Sequence, residues 1–199
     1  PDTVEQQVRR LAQRHLDGEP VAYLIGEWEF YGLPLDISES VLIPRPDTET
    51  LAEAAIGWLR QQDAPRVLDL CAGSGCLGLA IASQVKDARV VLGELSDGAL
   101  RICRQNIRRN GLTGRVTAMQ LDALHPPLQR LGDFDCIVSN PPYIPSGRIL
   151  WLCNSRAIRS LRAKCPSSVA CRRRRSSGVA AMRTDSKARA SFRRAKDSP

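Results

Sequence analysis

The feature that most restricts this chain is an alternation that begins at Arg66. Apolar runs at residues 67–70, 89–92, 116–121 and 134–139 are spaced along the chain, with helices expected from a Gly-rich turn to about Gln84 and from Asp97 to Asn110. Runs of four to six mostly apolar residues suit strands buried on both faces, and parallel strands need long crossovers between them. The pattern therefore specifies an open α/β fold: a parallel sheet buried on both faces, with right-handed helical crossovers. Asn110-Gly111 is a helix stop of the left-handed type.

Upstream, Val4, Val8, Leu11, Ala12 and Leu16 fall at helical spacing, and Asp17-Gly18-Glu19-Pro20 stops that helix. Residues 26–43 are rich in aromatic and β-branched side chains, broken by Gly32 and Pro34 and again by Ser38 to Ser40. This reads as a short antiparallel hairpin. Asp47 or Thr48 is then expected to cap a helix that lines one face with Leu51, Ala54, Ala55, Trp58 and Leu59.

Charge divides the chain. Its 199 residues sum to +8, but residues 1–147 hold 14 Lys+Arg and 19 Asp+Glu (−5), whereas 148–199 hold 15 and 2 (+13). The last segment contains 12 Arg, 9 Ser and 8 Ala, including the Arg172 to Arg175 tetrad, and no strand is expected after Ser146. No run of about 18 apolar residues and no charged leader before an apolar stretch is present, so a soluble, cytoplasmic protein without membrane partners is expected. Seven cysteines, an odd number without CxxC spacing, and two isolated histidines, His15 and His125, point to free thiols, no disulfide framework and no metal site.

The chemistry concentrates where strands should end. Cys71-Ala72-Gly73-Ser74-Gly75 follows the first run, and glycines at such a bend let a ligand approach backbone N–H groups at a helix start. Glu94 ends the next run, where a carboxylate can accept from both hydroxyls of a ribose. Together they indicate an adenosine-containing cofactor. With Gly73 and Gly75 taken as the glycines of the turn, a compact cofactor is expected in preference to a dinucleotide. Asn140-Pro141-Pro142-Tyr143 follows the fourth run, and its two prolines stiffen the loop. The Asn140 side-chain oxygen and the Pro141 carbonyl can act as paired acceptors for one planar NH2, with the Tyr143 ring against the flat group that bears it. Such acceptors favour a more pyramidal, nucleophilic nitrogen, and each is expected to contribute about 2.7–4 kcal/mol by analogy with oxyanion-hole donors.

In this order and spacing, DLCAGSG, Glu94 and NPPY resemble class I S-adenosylmethionine-dependent methyltransferases that act on amide or exocyclic amino nitrogens. Two upstream segments, DGEPVAYLIGEWEFYGLPL (17–35) and VLIPRPDTE (41–49), resemble the release-factor glutamine N5-methyltransferases, the HemK/PrmC-like enzymes. The resemblance covers about residues 15–146. It implies a Rossmann-like sheet and methylation of the Gly-Gly-Gln glutamine of a peptide chain release factor, in translation termination. It also implies S-adenosyl-L-methionine bound by Cys71, Ala72, Gly73, Ser74, Gly75, Glu94, Asp122 and Asn140, with Ala123 beside the adenine. Asn140, Pro141 and Tyr143 would be catalytic, holding substrate with Pro142, while Arg45, flanked by Pro44 and Pro46, would close over the reaction centre. Cys71 stands at the usual first glycine of the turn, a position expected to be strand-like and to tolerate a small side chain.

The same resemblance divides the chain into 1–25, the last helix of a helical substrate-docking domain; 26–46, a hairpin linker; 47–146, a methyltransferase domain holding four of its strands; and 147–199, a basic tail. Against the family pattern the chain is truncated at both ends, so an impaired, poorly folded enzyme is expected. A frame disruption near Gly147 or Arg148 accounts for the tail, and a basic arm for ribosomal RNA or other nucleic acid is the other reading, which leaves the remainder a non-catalytic remnant. Ribosomal-protein glutamine methyltransferases and adenine-N6 DNA methyltransferases are the other enzyme readings.

Overall fold

The computed structural model describes residues 3–123, 131–141 and 169–171. Helix α1 (Val4–Leu16) opens on a capping box in which the Gln6 N–H donates to Thr3 Oγ1 and the Thr3 N–H donates to Gln6 Oε1. None of its residues is buried; Val4, Val8, Leu11 and Leu16 lie exposed. A second helix, α2 (Val21–Ile25), follows Pro20 and closes at Gly26 in the left-handed conformation. Five residues are too few for a helical period to show, so sequence reading passed over it.

Strands β1 (Glu27–Phe30) and β2 (Leu33–Asp36) form the expected hairpin, with Phe30 opposite Leu33. The two loop residues, Tyr31 and Gly32, both have positive φ, 55° and 76°, as a two-residue turn matched to strand twist requires. Helix α3 (Pro46–Leu59) begins earlier than expected: Arg45 is its N-cap and Pro46 its first residue, with no side-chain cap from Asp47 or Thr48. Proline suits that place because its ring presets φ and the N–H it lacks would have no helical partner. The buried face is Thr48, Ala52, Ala55, Ile56 and Leu59. Leu51 and Trp58 are half-buried and Ala54 is exposed, a rotation of the expected face that follows from packing Ile56 inward.

The main sheet holds β3 (Arg66–Leu70), β4 (Arg89–Glu94), β5 (Val116–Gln120), β6 (Cys136–Ser139) and β7 (Val169–Cys171) in the order β5-β4-β3-β6-β7. Helices α4 (Cys76–Gln84) and α5 (Asp97–Arg109) connect β3 to β4 and β4 to β5. The first four strands in chain order are parallel, as expected, and β7 runs antiparallel to β6. This strand corrects the expectation that nothing after Ser146 joins the sheet. Val169-Ala170-Cys171 is a short apolar run, long enough to pair with Cys136, Ile137 and Val138. The rest of the expected tail lies outside the described residues.

Alternate residues of each strand serve opposite faces, the period-two rule of a pleated sheet. Val67, Val90, Leu92, Cys136 and Val138 pack with α3, α4, α5 and the hairpin residues Phe30, Leu35 and Ile37 in one core. Segment 26–46 is therefore built into the core of the sheet domain. On the other face Leu68, Leu70 and Ile137 pack with Leu121 and Phe134. Complete burial of a leucine or isoleucine side chain such as Leu68, Leu92 or Ile81 contributes roughly 1.5–3 kcal/mol. Arg66 ties the far edge: its guanidinium donates to the Leu131 and Asp133 carbonyls and lies 5.1 Å from the centre of the Phe134 ring.

One fully buried polar side chain joins the hairpin to the sheet. Asn106 on α5 accepts the Asp36 N–H at 2.6 Å and donates to the Asp36 carbonyl at 3.1 Å and the Ser74 carbonyl at 2.9 Å. Beside it, Arg109 pairs with both Glu27 and Asp36.

Candidate functional site

Parallel strands end on a common edge, and here Leu70 is level with Gly93 and Ser139, and Glu94 with Gln120. The chain leaves β3 through 71–75, β4 at Glu94, β5 toward Asp122 and β6 at Asn140, so these expected site residues fall on that edge. From β3 the chain moves one way through β4 to β5 and then crosses to β6 on β3's other side. The order reverses between β3 and β6, and open α/β sheets bind ligands in the crevice at such a reversal.

The turn at 71–75 is built on unusual backbone. Cys71, Gly73 and Gly75 have φ of 60°, 58° and 81°. For Cys71 this corrects the expected strand-like position: a left-handed conformation costs a residue with a Cβ roughly 1–2 kcal/mol. Gly75, the N-cap of α4, has no room for a side chain, since a Cβ there would stand 2.9 Å from Leu92. At Gly73 a Cβ would meet nothing within 4 Å, so the turn's outer side is open for a ligand.

Sequence reading missed a third glycine. Gly78, three residues after Gly75, lies so close to the sheet that a Cβ would come within 2.3 Å of Leu92 Cδ2 and 3.1 Å of Asp69 Oδ2. The spacing Gly73-x-Gly75-x-x-Gly78 was visible in the sequence. Glycine count alone therefore does not separate a compact cofactor from a dinucleotide. Asp69, the first residue of the DLCAGSG motif, is buried beneath the turn and accepts the Gly78 N–H at 2.9 Å. Burial pushes its carboxyl up to about 7, against the opposing pull of that N–H, and the Glu94 charge pushes the same way as burial.

Glu94 is held by backbone. Its Oε2 accepts the Gly73 N–H at 2.9 Å, and its Oε1 accepts the N–H groups of Leu95 and Ser96 at 2.8 and 3.0 Å. A carboxylate has about four lone-pair sites, which leaves capacity for a hydroxyl donor beside the open turn. Open turn, helix start and oriented carboxylate together fit a ribose-bearing cofactor. Three thiols surround the turn. Burial raises Cys71 to about 11 and Cys76 to about 12, and raises Cys103, whose Sγ donates to the Gly73 carbonyl at 3.0 Å. Protonated thiols of this kind line a site as apolar groups and do not act as nucleophiles at neutral pH.

Asp122 stands near enough for its charge to act on Cys71, and Ala123 packs beside the Leu121–Phe134 cluster. On the opposite side of the crevice, Asn140 is exposed at the end of β6 and its Nδ2 donates to Thr48 Oγ1 at 3.1 Å. Ser139, one residue earlier, donates its hydroxyl to the Leu70 carbonyl at 2.8 Å and so ties the two strand ends together. Arg45 is exposed, and its carbonyl accepts the Thr48 N–H at 2.9 Å. The structure thus brings together 71–75, Glu94, Asp122, Asn140 and the start of α3; Pro142 and Tyr143 lie outside the described residues. Thr48 and Glu49, whose Oε1 accepts the Tyr31 N–H at 3.3 Å, were not singled out as site residues, although both belong to the VLIPRPDTE segment.

Comparison with known proteins gives the family and the fold. A family model described as "Methyltransferase small domain" matches residues 49–162. A release factor glutamine methyltransferase of Bordetella pertussis is 46% identical over 136 residues, 68% of this chain and 49% of that protein. One from Neisseria gonorrhoeae is 42% identical over 147 residues, 74% of this chain and 52% of that protein. The chain spans about half the length of the curated relatives it matches. Among solved structures, a precorrin-6y C5,15-methyltransferase from Geobacter metallireducens aligns with a TM-score of 0.51 at 18% identity, over 65% of this chain and 64% of that one, which is a likeness of fold.

Proposed function

The chain belongs to the methyltransferase small domain family, and from that premise we propose that it methylates the side-chain amide nitrogen of a protein glutamine, that of the Gly-Gly-Gln motif in a peptide chain release factor. S-adenosyl-L-methionine, when bound, supplies the methyl group. The observation that carries this reading is Asn140: an exposed amide at the end of β6, across the strand-order reversal from the open turn at Gly73 and the carboxylate of Glu94.

In this reading residues 71–75, Glu94, Asp122 and Ala123 form the cofactor side, with Glu94 accepting ribose hydroxyls. Asn140 Oδ1 and the Pro141 carbonyl take the two hydrogens of the glutamine NH2, holding its nitrogen in line for transfer. Pro142 and Tyr143 are read as substrate-binding residues together with Arg45. The departing amide proton leaves to solvent after the nitrogen has gained its methyl group. Orientation and the two acceptors supply the rate advantage, and the removal of one oriented polar partner of this kind costs roughly 2.7–4 kcal/mol. The similarity to release factor glutamine methyltransferases at 42–46% identity supports the substrate.

The test is incubation of the full chain with release factor and S-adenosylmethionine, followed by mass spectrometry of the Gly-Gly-Gln peptide. A gain of one methyl group on glutamine is expected, and Asn140→Ala should reduce it at least about a hundredfold. Transfer to a ribosomal protein or to adenine in DNA, with none to release factor, would overturn the choice of substrate.

A further inference from the structure

We propose that Thr48 is a positioning residue that anchors the Asn140 side chain so that its amide is held at a fixed place for the substrate, an inference that rests on Asn140 holding the amide to be methylated. Asn140 is exposed at the crevice, whereas Thr48 behind it is 5% exposed, and Nδ2 of the one lies 3.1 Å from Oγ1 of the other. A side-chain amide carries its acceptor and its donor on one planar group. With Nδ2 engaged by Thr48, that group is held in place and Oδ1 is left to accept.

The local backbone frees Thr48 for this task. Because Arg45 is the N-cap and Pro46 the first helical residue, the hydroxyl does not serve as the side-chain cap of α3. Thr48 is itself fixed, since its N–H donates to the Arg45 carbonyl, and the next residue, Glu49, accepts the Tyr31 N–H of the hairpin turn. The first turn of α3 therefore joins the hairpin to the loop after β6, and the Thr48 hydroxyl is the point of contact with Asn140.

The experiment compares the full-length wild type with Thr48→Val, which keeps the shape and removes the acceptor, and Thr48→Ser, which restores it. Substrates are S-adenosylmethionine and a Gly-Gly-Gln peptide. Thr48→Val is expected to lower kcat about tenfold with KM for the peptide changed far less, since one oriented hydrogen bond is lost in the transition state. Thr48→Ser should recover kcat to within about twofold, and calorimetry should give both variants the wild-type affinity for S-adenosylmethionine. Unchanged kcat in Thr48→Val, or a Thr48→Ser variant as slow as Thr48→Val, overturns the proposal. Should the wild type transfer no methyl group, the proposed function fails by itself, and the anchor is read from the 15N relaxation of the Asn140 side-chain amide. Greater mobility in Thr48→Val than in the wild type and Thr48→Ser supports it; equal mobility in all three overturns it.

Discussion

Asp69 shows how strongly one buried residue can tie this site to pH. It is buried directly beneath the turn at 71–75, and its carboxyl is raised from 3.8 to about 7, first by burial. The folded chain therefore retains a proton that the unfolded chain releases between those values. Its contribution to stability is greatest below about pH 4, declines as pH rises toward 7 and is level above that, with a limiting slope of about 1.4 kcal/mol per pH unit. Urea titrations across this range should show that decline in the wild type and a flatter profile in Asp69→Asn, whose amide oxygen can still accept the Gly78 N–H. A wild-type midpoint that rises between pH 4 and 7 by as much as that of Asp69→Asn would contradict the assignment.

At the scale of elements, the hairpin, α5 and the turn after β3 meet at Asn106. Replacing it with leucine keeps the volume but leaves the Asp36 N–H and the Ser74 carbonyl buried without partners, at a cost of roughly 2–4 kcal/mol. Because Ser74 belongs to the turn at 71–75, Asn106→Leu should also weaken S-adenosylmethionine binding measured by calorimetry. Loss of stability with unchanged affinity would confine Asn106 to a packing role. The strands of this architecture were legible because apolar runs at 67–70, 89–92, 116–121 and 134–139 have no other use in a chain this polar between them. The candidate site was legible in outline because the turn at 71–75, Glu94 and Asn140 follow or end strands. What escaped was set by tertiary contact: the left-handed Cys71, the start of α3 at Pro46, the inward turn of Ile56, and Thr48, whose partner is 92 residues away. Gly78 was legible and was passed over.

For the whole molecule, the division of charge at residue 147 no longer coincides with a division of structure. The family match continues to residue 162, and Val169–Cys171 pairs with β6 from within the basic segment. Among the described residues, no helix is long and apolar enough to cross a membrane. Removing residues 148–199 would take away β7 and leave the N–H and C=O groups along one edge of β6 without their strand partner. Such edges recruit other chains, so the shortened protein should associate with rising concentration where the full chain does so less. Light scattering over a concentration series checks this, and equal behaviour of both proteins would mean that β7 does not protect the sheet.

The strand order β5-β4-β3-β6 also has a consequence in time. β3, β4 and β5 follow one another through the short crossovers α4 and α5, but β6 pairs with β3 across a separation of 69 residues, as Val67 with Cys136. Contacts of long sequence separation form late, because their loop must close before pairing rewards it. During synthesis β3, β4 and β5 therefore all precede β6, and the pairing that sets Asn140 beside the turn at 71–75 closes the longest of these loops and forms last.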